Sequence, residues 1–242
     1  RLKPPYFPAA IGLYGQPTIV NNVETLSNVP WIMANGAAAY RKMGSEASPG
    51  TRMFAISGHV VRPGVYEVEQ GITTFRDLFY GEEYCQGIRD GHELKMFIPG
   101  GGSAPWFFAE HLDLPLEARE VGAAGSMLGS GAIIVMDETR CMVDACLNLM
   151  TFYAHESCGQ CTPCREGIPW VRDIVWRIEH GQGTLEDLET LEDVCNNVAP
   201  LLSPAMSTIC LFGPSWSYPM LGFMKCFRSE FEEHVKNNVQ HA

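Results

Sequence analysis

The stretch Ser157-Cys158-Gly159-Gln160-Cys161-Thr162-Pro163-Cys164-Arg165 places three cysteines at intervals of three residues. A loop with this C-x-x-C-x-x-C spacing can bind three corners of an iron–sulfur cubane, and a fourth thiolate then comes from elsewhere in the chain. Apolar residues at helical spacing precede and follow the stretch, which therefore predicts a cluster-binding loop next to a helix. Structural zinc and unliganded thiols are the alternatives, but zinc usually takes its ligands from two C-x-x-C pairs, and the sequence has no second pair.

Cys210 is the candidate for the fourth metal ligand, completing a site with Cys158, Cys161 and Cys164. It follows Ile209 in a segment between two predicted helices, where a side chain can turn inward. Packing or a surface position explains the other cysteines, because buried cysteine behaves as a small hydrophobic residue. They are Cys85, Cys141, Cys146, Cys195 and Cys226.

Composition and charge exclude several classes of protein. The 242 residues carry a net charge of −11, which argues against nucleic acid as the main partner. No apolar run approaches the roughly 18–20 residues of a membrane span, so we expect no direct membrane insertion. Nine cysteines, an odd number with one tight triple, favour a reducing compartment and a metal site over a disulfide-bonded secreted protein. The chain begins at Arg1 without an initiator methionine, and we expect further functional parts upstream.

Composition shifts along the chain predict an α+β, multidomain protein. Residues 1–50 begin with a proline-rich segment, continue with a helix over 23–43 that Pro30 interrupts, and look like the tail of a larger domain. Residues 51–125 have the pattern of strands over 53–57, 64–69 and 95–98, with a short helix capped by Thr73 or Thr74. A hairpin, a helix and further strands in this space suggest a β-grasp domain.

Residues 126–242 become helical from about residue 137. Apolar residues recur at helical spacing over 143–150 and 168–178, a third helix follows the N-cap residue Thr184, and a fourth runs from about 220 to 235. Four helices with short connections predict an all-α four-helix bundle.

The cysteine stretch, extended to Glu156 and Gly167, closely resembles the cluster loop of the flavoprotein (51 kDa-type) subunit of respiratory complex I. That subunit is the NADH-oxidising part of NADH:quinone oxidoreductase. The resemblance spans nearly the whole chain, which is similar to the C-terminal part of the subunit. Further segments in family order are Leu2-Lys3-Pro4-Pro5, Gly12-Leu13-Tyr14-Gly15, Pro17-Thr18-Ile19-Val20-Asn21-Asn22-Val23-Glu24-Thr25-Leu26 and Ser57-Gly58-His59-Val60-Val61-Arg62-Pro63-Gly64.

This resemblance implies three domains. Residues 1–50 correspond to the C-terminal portion of an α/β FMN-binding domain, residues 51–125 to a β-grasp, soluble-ligand-binding domain, and residues 126–242 to a helical bundle with a [4Fe-4S] cluster. The cluster ligands implied by the resemblance match Cys158, Cys161, Cys164 and Cys210.

The resemblance also implies a partial flavin site near the start of the chain. It assigns FMN contacts to Val20, Asn21, Asn22 and Thr25. From composition alone, a turn or helix cap is the favoured interpretation of the two asparagines. The glycine-rich segment that binds FMN and NADH in the family has no counterpart here, so NAD(H) is expected only in the intact subunit, and the chain is expected to be inactive alone.

The implied function is electron transfer from NADH via FMN to the [4Fe-4S] cluster and onward to other iron–sulfur subunits. The implied partners are the small [2Fe-2S] subunit and the large iron–sulfur subunit of the peripheral arm. The implied location is cytoplasmic, on the inner face of the plasma membrane through the complex, or on the matrix side in a mitochondrion. Two alternatives remain open: a diaphorase subunit of an NAD-dependent hydrogenase or formate dehydrogenase, and a non-redox, zinc-stabilised assembly module.

The segment after Cys210 departs from the family, which has small residues there. Phe212 and Trp216 are bulky aromatic residues near the expected cluster. Aromatic residues are enriched in the cores of protein interfaces, so one hypothesis places both in a docking surface over the cluster. The alternative is that they pack in the core of the bundle.

Overall fold

The computed structural model describes residues 6–201, 203 and 205–237. The Leu2-Lys3-Pro4-Pro5 segment and the first part of the proline-rich start lie outside these residues.

A mixed sheet contains four strands, which are β1 (Thr51–Gly58), β2 (Gly64–Glu69), β3 (Leu94–Ile98) and β4 (Ala132–Asp137). Their order across the sheet is β2-β1-β4-β3. Strand β1 is antiparallel to β2 and parallel to β4, and β3 is antiparallel to β4. The strands expected over 53–57, 64–69 and 95–98 are confirmed.

The sequence pattern does not predict β4, which lies in the middle of the sheet. Most of its residues are apolar, and buried positions alternate with half-buried ones, so neither face of the strand is exposed. A short apolar run of this kind cannot be told from a helical segment by its periodicity. In the sheet, Ile133 pairs with Ile56 of β1, and Val135 pairs with Phe97 of β3. A β unit that ended at residue 125 would therefore lack its central parallel strand.

Nine α-helices lie within the described part of the chain. In order they are α1 (Val23–Asn35), α2 (Ala37–Tyr40), α3 (Phe75–Tyr80), α4 (Ala118–Ala123), α5 (Met142–Glu156), α6 (Thr162–Arg165), α7 (Gly167–Glu179), α8 (Leu185–Val198) and α9 (Phe212–Asn237). Two expected N-caps are confirmed as capping boxes, in which Thr74 exchanges hydrogen bonds with Asp77 and Thr184 with Asp187.

Pro30 does not interrupt the first helix as the sequence predicts, and the last helix begins earlier than predicted. Helix α1 continues through Pro30 and ends at Gly36, whose φ of 85° leaves the helical region. Since α1 has no buried residue, water can satisfy the carbonyl that Pro30 leaves without a donor. Helix α9 begins at Phe212 rather than near residue 220 and continues through Pro219. Pro214 is tolerated because it lies in the first turn, where backbone N–H groups have no intrahelical partner.

The molecule has two hydrophobic cores. In the first, α3 packs its aromatic side chains on the sheet, and the Phe75 and Phe79 rings lie 4.8 and 5.0 Å from Phe97. The second lies among α5, α7, α8 and α9, which form the helical part of the structure, and it also includes Met96 and Ile98 of β3 and Trp106. Among the described helices, none combines the length and apolar character needed to cross a membrane.

The buried carboxylate of Asp137 joins the two parts, at the end of β4 and just before α5. Its Oδ1 accepts hydrogen bonds from the backbone N–H of Thr139 at 3.1 Å and from the Thr139 hydroxyl at 2.5 Å. Arg89 Nε donates to Oδ2 at 3.0 Å, and His59 Nδ1 lies 2.8 Å from Oδ1. Burial raises the pKa of Asp137, but these donors outweigh it and hold the pKa well below its usual value.

We predict that Asp137→Asn lowers the free energy of unfolding at neutral pH by roughly 2–3 kcal/mol, because it weakens charge-assisted hydrogen bonds in a buried position. A lowered pKa in the folded state stabilises the protein above the unfolded-state value of about 4, and this contribution is lost as pH falls toward the folded-state pKa. Urea unfolding between pH 7 and pH 3 should therefore show a weaker acid dependence for Asp137→Asn than for the parent. Asp113→Asn, which removes a surface pair with Arg76, is the control and should change stability much less. Equal losses in the two variants would contradict a special role for Asp137.

Candidate metal centre

The cysteine stretch connects two helices that pack against each other. Helix α5 ends at Glu156, the short helix α6 begins at Thr162, and α7 begins at Gly167. Since Cys141 before α5 lies beside Glu179 at the end of α7, the two long helices are antiparallel. Their packing confines residues 157–166 to one end of the helical part.

Hydrogen bonds within the loop fix its shape. Gly159 has a φ of 67°, a conformation that favours glycine, and its backbone N–H donates to the Ser157 hydroxyl at 3.2 Å. The Arg165 guanidinium reaches back to the Gly159 carbonyl and to the Thr162 hydroxyl, both at 3.3 Å. Hydrogen bonds that involve Ser157 at its start and Arg165 at its end therefore stabilise the loop, and the Arg165 charge lies beside the cysteines.

The four predicted ligands occupy this end of the helical part at different depths. Cys158 is half-buried in the loop, Cys161 is half-buried at the N-cap of α6, and Cys164 is buried within α6. Cys210 is half-buried and lies two residues before α9. The chain therefore contributes three of the cysteines from one loop and the fourth from a distant segment.

Two of the other predicted ligands lie near enough to Cys164 to affect the pKa of its thiol. Its pKa is raised to about 11, first by burial and then by the neighbouring sulfurs of Cys161 and Cys210. Metal ligation requires the thiolate form, and a bound cation compensates for the negative charge that neighbouring sulfurs otherwise disfavour. This environment is therefore suited to a metal group and unfavourable for free thiolates.

Trp216 supplies a polar hydrogen to the same place. Its side chain is fully buried, and its ring lies 3.6 Å from the position that a Cβ on Gly167 would occupy. The indole Nε1 has no hydrogen-bond partner of regular geometry, yet it is close enough to the Cys164 sulfur to lower the pKa of that thiol. The buried indole N–H thus lies beside the Cys164 sulfur and is available as a donor to it.

The hypothesis that Trp216 belongs to a docking surface is wrong. Because α9 begins at Phe212, Trp216 lies one turn into a helix and points into the core rather than outward. Phe212 is half-buried and packs edge-on against Tyr153, with ring centroids 5.7 Å apart. The sequence indicates that Trp216 lies near the cluster, but its inward position could not be predicted because it depends on where α9 begins.

The predicted flavin contacts lie together on the surface. Val20, Asn21, Asn22 and Thr25 are all exposed at the start of α1. The Asn22 side chain accepts a hydrogen bond from the Thr25 backbone N–H at 3.0 Å and caps the helix, as composition alone suggests. Helix α1 is linked to the sheet through Glu24, which accepts from the Met53 backbone N–H at 2.7 Å.

Comparison with known protein families identifies the class of this site. Residues 144–234, which run from α5 to the last turns of α9 and include all four predicted ligands, match the family described as "NADH-ubiquinone oxidoreductase-F iron-sulfur binding region". The helical part is therefore an iron–sulfur binding region by family as well as by its cysteine pattern.

Curated relatives match nearly the whole of this chain. The chain is 47% identical over 236 residues to the F subunit of NADH-quinone oxidoreductase of Mycobacterium bovis, covering 98% of this chain and 51% of the relative. It is 43% identical over 236 residues to the F subunit of the Escherichia coli enzyme, with the same two coverages. Over almost all of its own length the chain is thus similar to NADH-quinone oxidoreductase F subunits, and it spans about half the length of these relatives.

Solved structures share the fold. A crystal structure of an NAD+-reducing [NiFe]-hydrogenase in the H2-reduced state matches with a TM-score of 0.80 and 32% identity, covering 97% of this chain and 37% of that chain. The air-oxidised state of such a hydrogenase matches with a TM-score of 0.79 and 32% identity over 100% of this chain and 39% of that chain.

Proposed function

We propose that this chain is the cluster-binding part of its NADH-quinone oxidoreductase, in which Cys158, Cys161, Cys164 and Cys210 hold a [4Fe-4S] cluster. The observation that carries the proposal is that Cys210 lies near enough to Cys164 for its charge to act on that thiol, inside the matched iron–sulfur region. When bound, the cluster supplies one-electron redox chemistry between a flavin and further iron–sulfur centres. In the intact protein, the electrons would come from NADH through FMN.

The residues of this chain would bind the cluster and tune it. Three thiolates from a braced loop and one from the segment before α9 match the usual four-cysteine coordination. The buried indole N–H of Trp216 would donate to the Cys164 sulfur, and Arg165 would offset part of the thiolate charge. Burial by the core of α5, α7, α8 and α9 would keep water from the inner face of the cluster.

The domain organisation that we propose follows the order of the strands and helices along the chain. Residues 6–50 are the end of an FMN-binding domain, residues 51–137 form a β-grasp domain, and residues 138–237 form the four-helix bundle. The support for moving the second boundary from 125 to 137 is the central place of β4 in the sheet. In the first part, Val20, Asn21, Asn22 and Thr25 are proposed to contact FMN, and their common exposure at the start of α1 supports this.

The proposed partners are the small [2Fe-2S] subunit and the large iron–sulfur subunit of a peripheral arm. Electron transfer requires a neighbouring centre close to the cluster, and the segment around Cys210 exposes apolar side chains that suit such a contact. Met206, Ile209 and Leu211 are 41%, 53% and 71% exposed. We propose that these three residues, and not Trp216, form the docking surface over the cluster. Through these partners, the chain would lie on the cytoplasmic face of the membrane, or on the matrix side in a mitochondrion.

A second candidate function is favoured by the fold comparison. The matched hydrogenase structures suggest the diaphorase part of an NAD+-reducing hydrogenase, at 32% identity. The NADH-quinone oxidoreductase relatives, at up to 47% identity, favour the quinone-linked enzyme. Purification of the native complex distinguishes them, since the second candidate requires a subunit with nickel.

We predict that Cys161→Ser and Cys210→Ser each lose most of the bound iron, because a hydroxyl is a poor substitute for a soft thiolate ligand. The anaerobically prepared parent should contain about four irons and four acid-labile sulfides per chain. Cys195→Ser is the matched control, since Cys195 is buried within α8 and should leave the iron content unchanged. If Cys195→Ser loses iron while Cys210→Ser keeps it, the ligand assignment is wrong, and one zinc per chain would favour the assembly module instead.

We predict that Trp216→Phe keeps the cluster but makes its midpoint potential more negative. A donor to sulfur stabilises the reduced, more negative cluster, and loss of about 1 kcal/mol corresponds to roughly 40 mV for a one-electron couple. Redox titration monitored by EPR checks this shift. Trp170→Phe is the control, because Trp170 is 58% exposed and should leave the potential unchanged. An unchanged potential in Trp216→Phe would show that the indole does not act on the cluster.

A further inference from the structure

Three side chains from three helices converge at the end of the helical part opposite the cysteine loop. They are Cys141, directly before α5, Glu179, the last residue of α7, and His234, near the end of α9. The Cys141 sulfur, a ring nitrogen of His234 and a carboxylate oxygen of Glu179 all lie within 4.8 Å of one another. Helix α5 separates them from the loop by 15 residues, or about 22 Å.

Burial makes this cluster unusual. Glu179 and His234 are only 3% and 6% exposed, and Cys141 is half-buried. A buried carboxylate is costly unless it is paired or binds a metal. The sequence interpretation, in which Cys141 only packs, does not account for a carboxylate and an imidazole at the same place.

The distances fit a tetrahedral metal ion. The Cys141 sulfur lies 3.3 Å from Nε2 of His234. With a zinc–sulfur bond of about 2.3 Å and a zinc–nitrogen bond of about 2.0 Å, tetrahedral ligands of these types are roughly 3.5 Å apart. His234 Nδ1 lies 3.7 Å from Glu179 Oε2, so the carboxylate borders the same ring. With Nε2 as the ligand, Glu179 contacts the other ring nitrogen, so its side chain would have to turn toward the ion, within the 4.8 Å that is the upper limit of the separations of the three ligand atoms.

A nucleophilic cysteine supported by histidine and glutamate is the competing interpretation. Burial raises the pKa of Cys141, and the charges of Glu179 and Glu230 raise it as well. The thiolate is the reactive form, so these surroundings disfavour nucleophilic chemistry. The same two carboxylates favour a divalent cation, which would displace the thiol proton and balance the negative charge.

Nearby groups already have defined partners. Glu230 Oε1 lies 2.6 Å from the Lys95 ammonium, and its Oε2 accepts from the Met142 backbone N–H at 3.2 Å. Glu230 thus stabilises the start of α5 and Lys95 rather than completing the cluster. Three protein ligands are left for the ion, with water as the natural fourth.

We propose that Cys141, Glu179 and His234 bind a divalent transition-metal ion of the zinc type, which links α5, α7 and α9 at the end of the helical part remote from the cysteine loop. Binding would release the proton of the Cys141 thiol to solvent, leave the imidazole neutral, and give a thiolate, a carboxylate and a nitrogen ligand. The site does not depend on the iron–sulfur cluster. The metal site and the cluster ligands can therefore be tested independently.

The test is a titration of the full chain, loaded with iron and sulfide, with Co²⁺ and then with Zn²⁺. We expect about one Co²⁺ per chain with a thiolate-to-metal absorption band, displaced by one Zn²⁺. Cys141→Ser should abolish the band, and Glu179→Gln and His234→Gln should each weaken binding by at least roughly 100-fold, more than the loss of an outer partner. Cys146→Ser, a buried thiol of the same helix, is the matched control and should bind as the parent does.

The Co²⁺ titration of the unsubstituted chain tests the proposal by itself, because a folding defect of a variant cannot affect it. Absence of a Co²⁺–thiolate band in the iron-loaded parent would overturn the proposal. So would a band that survives in Cys141→Ser but disappears when Cys161 is replaced, because the metal would then occupy the cysteine loop. A thermal midpoint that rises with zinc in the parent and Cys146→Ser, but not in His234→Gln, would support it.

Discussion

The packing of α5 against α7 is the contact on which the rest of the helical part depends. Their buried apolar residues, such as Met150 and Val171, form the centre of a core to which α8 and α9 add their own stripes. Because the two helices run in opposite directions, ten residues must reverse the chain between them. The cysteine loop has this length, so its three sulfurs are held at the end of a rigid pair of helices rather than on a mobile segment.

The sheet contacts this helical core through Met96 and Ile98 of β3, and the chain passes from the sheet to the helices in one short connection. Strand β4 ends at Asp137, and α5 begins at Met142. Asp137 accepts hydrogen bonds from Thr139 and Arg89. These bonds hold the connection between β4 and α5 in place. A buried carboxylate in the joint thus sets the orientation of the helix that leads to the cysteines.

Local patterns explain what could be predicted from the sequence. The hairpin β1–β2, the caps at Thr74 and Thr184, and the cysteine loop all depend on residues close together in the chain. Strand β4 could not be predicted, since its identity comes from pairing with β1 and β3. The inward position of Trp216 and the meeting of Cys141, Glu179 and His234 likewise depend on helix packing, which brings together residues up to 93 positions apart.

The antiparallel pair also limits how the length of the chain can change. Helix α5 has functional candidates at both ends, Cys141 before it and Cys158 after it, and α7 lies between Cys164 and Glu179. One inserted residue rotates the rest of a helix by about 100° and moves it by about 1.5 Å. If the cysteine loop kept its position, such an insertion would turn Cys141 or Glu179 away from its partners. If the opposite end kept its position, the insertion would displace the cysteine loop. Insertions and deletions among related chains are therefore expected in the connection over residues 180–184, and not inside α5 or α7.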